Sequence, residues 1–107
     1  METETQYRKE VQKIYQRLEN ALSEVDPDIV ECMSHQGSMK LIFSNESQCI
    51  LSTQPSLCQL WLVVSSQGRA YHFSYHPETK AWVDEDRELM TLLKRIIKQE
   101  TGLMISW

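Results

Sequence analysis

Five carboxylates, Glu19, Glu24, Asp26, Asp28 and Glu31, fall between positions 19 and 31, and no Lys or Arg occurs between Arg17 and Lys40. Carboxylates that crowd together without a neutralising cation bind hard metal ions through oxygen, weakly when water surrounds them. The same acids also read as a solvated surface that keeps a small protein in solution. A second acidic run, Asp84-Glu85-Asp86, reads as helix capping and complementation of a helix dipole. His35, His72 and His76 fall in a turn, a strand and a turn. The last two share no helix, so their spacing makes no two-histidine metal face. No serine lies in a G-x-S-x-G elbow and no glycine-rich loop is present to cradle a phosphate, so no catalytic constellation emerges. Cys32, Cys49 and Cys58 have neither zinc spacing nor the even number of a disulfide framework. They read as small buried thiols in a reducing cytosol.

The elements that carry these residues follow from periodicity. Tyr7, Val11, Ile14, Leu18, Leu22 and Val25 recur at steps of three and four, with Tyr15 and Ala21 widening the stripe, which predicts an amphipathic helix. Asp26-Pro27 is expected to end it, because proline disfavours helical geometry in the residue before it. The middle of the chain switches to short extended runs. Ile29 to Ser34, Met39 to Phe43, Gln48 to Ser52, Leu57 to Val64 and Tyr71 to Tyr75 read as strands, with a short one around Trp82. Turns are expected at His35–Ser38, Ser44–Ser47, Ser65–Gly68 and His76–Lys80. A last helix carries Leu89, Leu93, Ile96 and Ile97, with Met90 beside them; Asp84 or Asp86 is its expected cap and Gly102 its terminator.

Helix, five or six short strands, helix is the order of an α+β fold. Short connections imply an antiparallel sheet, and two helices can cover only one face of it, giving a two-layer sandwich. Alternation then divides the side chains. Met39, Leu41, Phe43, Cys49, Leu51, Leu60, Leu62 and Val64 face the helices, while Lys40, Ile42, Gln48, Ile50, Ser52, Gln59, Trp61 and Val63 face away. Trp61 is thus an exposed aromatic anchor for a partner, or a core tryptophan if the register slips by one residue.

At 107 residues the chain is read as one domain, 1–107. Its 41% hydrophobic and 24% charged residues are those of an ordinary globular protein, and its net charge of −4 disfavours a nucleic-acid backbone as partner. No apolar run approaches the roughly 18 residues of a membrane span. Met1 to Glu10 is polar and acidic from its second residue, unlike a secretory or transit peptide.

Taken together, these features resemble the frataxin family. The central block Leu51-Ser52-Thr53-Gln54-Pro55-Ser56-Leu57-Cys58-Gln59-Leu60-Trp61-Leu62 is similar to the family's Asn-x-Gln step, proline and Gln-[Val/Ile]-Trp-[Leu/Ile] stretch. Gly68 with Tyr71-His72-Phe73, Trp82, the pair Leu92-Leu93 and the tail Thr101-Gly102-Leu103 through Trp107 match further family positions. The likeness spans essentially the whole chain and is strongest to bacterial members. It implies an iron-binding accessory protein, or iron chaperone, of cytoplasmic iron–sulfur cluster assembly. By position, Glu19, Glu24, Asp26, Asp28 and Glu31 match the family's acidic ridge. That ridge holds ferrous and ferric iron weakly and docks on a basic surface of the cysteine desulfurase. Gln54, Gln59 and Trp61 match the sheet surface that meets the scaffold protein and the desulfurase. The resemblance further implies a monomer that iron can drive into oligomers. Ser52 stands where the family usually has asparagine, and Asn20 and Ser23 stand where bacterial members often carry acids. Two alternatives remain open at this stage. One is an interaction module without physiological iron binding. The other is a ferroxidase or iron-storage protein, an activity described for eukaryotic members, although no paired Glu and Glu-x-x-His motifs of a buried di-iron centre occur.

Overall fold

The apolar stripe that starts at Tyr7 builds helix α1, Glu4–Leu22, which buries Tyr7, Val11, Ile14, Tyr15, Leu18 and Leu22. The computed structural model describes residues 4–107, so the first three residues of the polar stretch Met1–Glu10 lie outside it. α1 stops at Leu22, short of the expected end at Asp26-Pro27. The Ser23 amide and hydroxyl both turn back to the carbonyl of Asn20, and such bonds tighten a last turn and close it. Val25 still donates to the Leu22 carbonyl and packs half-buried against the core, so its place in the stripe has meaning without helix.

Seven strands follow: β1 Val30–His35, β2 Ser38–Phe43, β3 Gln48–Gln54, β4 Gln59–Val64, β5 Arg69–His76, β6 Ala81–Asp84 and β7 Arg87–Glu88. They form one sheet in sequence order, every neighbouring pair antiparallel. The seventh strand is one more than expected, because two polar residues carry no readable alternation. A turn at Glu85, with φ +57°, folds them back onto β6. β4 begins two residues later than anticipated. Pro55–Leu57 is a single 3-10 turn that leaves Leu57 exposed, and Cys58 exits it in left-handed geometry.

Helix α2, Leu89–Thr101, is capped by Glu88 and not by Asp84 or Asp86. The Glu88 carboxylate accepts the amides of Met90 and Thr91, satisfying orphan donors of the first turn. Asp84 instead accepts the backbone N–H of His72. Gly102 ends α2 at φ +79°, its amide bonded to the Lys98 carbonyl, as the expected left-handed cap does.

Both helices pack on one face of the sheet, and their core is a single cluster. Leu18 and Leu22 from α1 meet Leu93 and Ile97 from α2 among Met39, Leu41, Phe43, Leu51, Leu60, Leu62 and Phe73. The expected two-layer α+β sandwich therefore holds, with alternation as read: Leu60 and Leu62 are 0% exposed, while Val63 between Leu62 and Val64 is 43% exposed. Leu93, also 0% exposed, has no solvent to expand into if truncated. Leu93→Ala is expected to cost about 2–5 kcal/mol in chemical denaturation; a loss under about half a kcal/mol would contradict this packing.

Candidate functional site

The acidic corner lies where α1 gives way to β1. Asp26 organises the connection: its carboxylate accepts the Asp28 amide at 2.9 Å, and its carbonyl accepts the amides of Ile29 and Val30. Glu19, on the last full turn of α1, accepts the Ser34 hydroxyl at 3.0 Å and so clasps the helix to the edge strand. Burial, and secondarily the charge of Glu19, pushes the half-buried Cys32 thiol above its usual range.

Glu19, Glu24, Asp26, Asp28 and Glu31 are all exposed. Among the described residues the ion pairs are Arg8–Glu4, Lys13–Glu10 and Arg87–Glu85, so none neutralises the corner. The five acids are brought to one region but do not converge. Glu31 stands opposite Ile42 and alternates with the inward Val30 and Cys32, so it faces away from Glu19. Among the described residues no three His, Cys, Asp or Glu side chains are gathered to hold a metal ion.

Registers arrange the uncovered sheet face into rows. One runs His35–Ser38–Ser52–Trp61–His72 and the next Gln54–Gln59–Ser74–Val83–Glu88. Gln54, Gln59 and Trp61 thus meet at the corner of β3 and β4. Trp61 is on the open side as alternation requires, yet it is half-buried, less accessible than an isolated anchor. Its indole stacks on His72 with centroids 4.2 Å apart and planes 19° apart, and its N–H donates to the Gln59 side chain at 2.9 Å. The Gln59 amide in turn reaches the Ser74 hydroxyl. His72 and Ser74 were invisible as site residues in the sequence, since their place beside Trp61 and Gln59 depends on the β4–β5 register.

From beneath, α1 fixes this corner through one hydroxyl. Tyr7 donates to the Gln59 carbonyl at 2.6 Å and accepts the Gln54 amide at 3.0 Å. Burial is the main reason its phenol is held above the usual range, so the hydroxyl stays a neutral donor and acceptor. The arrangement carries a pre-set amphipathic aromatic flanked by amide side chains, a combination suited to a protein interface. Of the three thiols expected to be buried, only Cys49 is; its thiol is pushed up to about 12, chiefly by burial, while Cys32 and Cys58 are half-exposed. An edge strand and a 3-10 exit cannot enclose them as a central strand encloses Cys49.

Comparison with known proteins adds an independent line. The family model described as a frataxin-like domain matches residues 1–103. The iron-sulfur cluster assembly protein CyaY of a Pseudomonas fluorescens strain is 33% identical over 107 residues, covering 98% of this chain and 94% of that protein. The protein of the same name from Pseudomonas entomophila is 35% identical over 102 residues, covering 94% of this chain and 90% of that one. Among solved structures, a frataxin from Psychromonas ingrahamii superposes with a TM-score of 0.84 over 97% of this chain and 96% of that one, at 21% identity. At that identity the likeness speaks for the fold.

Trp61 on β4 and Trp82 on β6, on opposite faces of the sheet, make a stability test of the open face. Trp82 is 2% exposed and packs edge-on to Tyr7. Trp82→Ala is expected to lose about 3–5 kcal/mol. Trp61→Ala, which gives up one stack and one hydrogen bond at a wet surface, is expected to lose about 1 kcal/mol. Equal losses in urea melts would mean that Trp61 belongs to the core.

Proposed function

The chain belongs to the frataxin-like family, and from that membership we propose that it serves iron–sulfur cluster assembly as an iron-binding accessory protein. In this reading it acts in the cytoplasm, takes ferrous or ferric iron as cargo on the acidic corner, and docks on the cysteine desulfurase–scaffold complex. The observation that carries the reading is near-full-length similarity to relatives named for cluster assembly. The uncompensated charge of Glu19, Glu24, Asp26, Asp28 and Glu31 supports the iron half. Exposed carboxylates that diverge offer a cation one or two oxygens at a time, so iron is held weakly and exchanges readily. Gln54, Gln59 and Trp61 supply the docking half. An aromatic with a polar edge, already oriented by His72 and Gln59, loses little conformational freedom on association.

An interaction module that works without iron is the second reading, favoured by the lack of a gathered metal-ligand group among the described residues. A ferroxidase role is distinguished from both by aerobic oxidation of ferrous iron with and without the protein.

Iron titration separates the first two. Cation binding relieves repulsion among the corner acids, so anaerobic ferrous iron is expected to raise Tm, since a ligand that prefers the folded state stabilises it. NMR broadening should begin at Glu24, Asp26 and Asp28. The triple variant Glu24→Gln/Asp28→Asn/Glu31→Gln, which spares the turn-forming Asp26, should abolish the Tm gain. Broadening centred on His35, His72 and His76 would sink the assignment.

Docking has its own measurement. In pull-downs with desulfurase and scaffold, Trp61→Ala is expected to weaken binding by about 2 kcal/mol or more, the scale of an interface hot spot. Cluster formation, assayed with the protein added or omitted, should lose its dependence on the protein in the same variant. Undiminished binding by a folded Trp61→Ala protein would overturn the open-face model.

A further inference from the structure

On the flank of α1 away from the acidic corner, a groove of about 470 Å³ runs between the helix and the β5–β6 hairpin. Lys13 and Arg17, one helical turn apart, form one wall, and Lys80 forms the other. Tyr75 and Trp82 line the groove between them, their ring centroids 5.3 Å apart at 59°. Trp82 is buried and Tyr75 half-buried, so Tyr75 is the aromatic that a ligand can reach. Glu10 is the single acid lining the groove, and it is already engaged by Lys13 at 3.1 Å. Among the described residues Arg17 and Lys80 enter no ion pair.

A protein of net charge −4 has therefore left three cations around an aromatic surface, with one carboxylate to offset them. Like charges facing one another across a groove repel, and an anion between them removes that repulsion. The guanidinium of Arg17 offers a planar fork for phosphate or carboxylate oxygens, and two ammonium groups add unoriented positive charge. Tyr75 offers a ring to a planar group. The volume falls within the range of small-molecule sites. A ligand satisfying all three features carries an anionic head and an aromatic body.

We infer that this groove binds an aromatic phosphate of the nucleotide class, its phosphate between Arg17, Lys13 and Lys80 and its base against Tyr75. The cations are exposed, so binding is weak and salt-sensitive. It is independent of the iron corner and of the open sheet face.

The experiment is an NMR titration of the full chain with AMP, inorganic pyrophosphate and adenosine, in low and high salt. AMP is expected to shift the amides of Lys13, Arg17, Tyr75 and Lys80 with a high-micromolar to millimolar Kd that weakens with salt. Arg17→Ala and Lys80→Ala should each weaken AMP by about tenfold, the loss of one charge-assisted contact, without lowering Tm. Tyr75→Leu should weaken AMP and leave pyrophosphate unchanged. Pyrophosphate binding as tightly as AMP would overturn the aromatic half. Shifts spread equally over Arg69, Lys94 and Arg95, no shift at all, or undiminished binding by Arg17→Ala, would overturn the site.

Discussion

Two helices can bury one face of a seven-stranded sheet, and whatever stands on the other face must be stable in water or be covered by a partner. Here the covered face takes the leucines and valines of alternate positions, and the other takes Lys40, Ser52, Gln59, Trp61, His72 and Ser74 together with Ile42, Ile50 and Val63. Residues on that second face contribute little to the core, so their chemistry is free to serve recognition. The constraint also explains how Trp61 is tolerated. A lone indole in water is a liability, but His72 covers one of its faces and Gln59 satisfies its N–H. The open face is built to be wet without being loose.

What aligns the two layers is polar. Tyr7 and Tyr15 sit two turns apart on α1, and each passes its hydroxyl to a backbone group in a connection between strands. Tyr7 ties the end of β3 to the start of β4, and Tyr15 donates to the Gly37 carbonyl in the β1–β2 turn. That carbonyl also accepts the Thr53 amide, joining β3 to the same point. Gly37 is required there twice over. Its φ is +84°, and a Cβ would stand 2.9 Å from the Thr53 hydroxyl. A helix held by apolar contact alone could slide along the sheet at small cost, whereas directional hydrogen bonds define one position.

Much of this was readable from the chain, and the failures have physical reasons. Leu60 and Leu62 on either side of Trp61 were enough to orient β4, because exposing two leucines to bury one indole is the costlier choice. Tyr7 to Leu22 and Leu89 to Ile97 announced their helices through spacing. Helix ends were less readable: Ser23 closed α1 with its own hydroxyl, and Glu88 took the capping role because β7 carried it to the start of α2. β7 itself exists through pairing with Val83 and Asp84, information absent from Arg87 and Glu88. For the candidate site, residue type and the family resemblance singled out the acids, Gln54, Gln59 and Trp61 for their chemistry, but the stack on His72 and the divergence of Glu31 from Glu19 are matters of register. Residue types disclose what chemistry is available, and strand pairing decides which of it meets.

The charge pattern of α1 carries the argument one step further. Successive helical residues advance by about 100°, so Arg17 and Glu19 point to nearly opposite flanks. Glu19 turns to the edge strand and reaches Ser34, while Lys13 and Arg17 turn to the β5–β6 hairpin and Lys80. α1 therefore divides the molecule into an acidic flank at β1 and a locally basic one at β5 and β6. A nearly neutral sphere would approach a charged partner in any orientation. A molecule divided in this way presents its acidic flank to a basic surface and holds its basic flank away, which selects the encounter before contact and favours fast, oriented association. Because the sheet's open face is bounded at one edge by that same acidic flank, a partner steered to Glu31 and its neighbours, as the proposed docking requires, would meet the edge of the Trp61 surface as well. In the proposed docking, electrostatic orientation and aromatic contact would therefore act in series, the first at a distance and the second only once water is squeezed from the sheet.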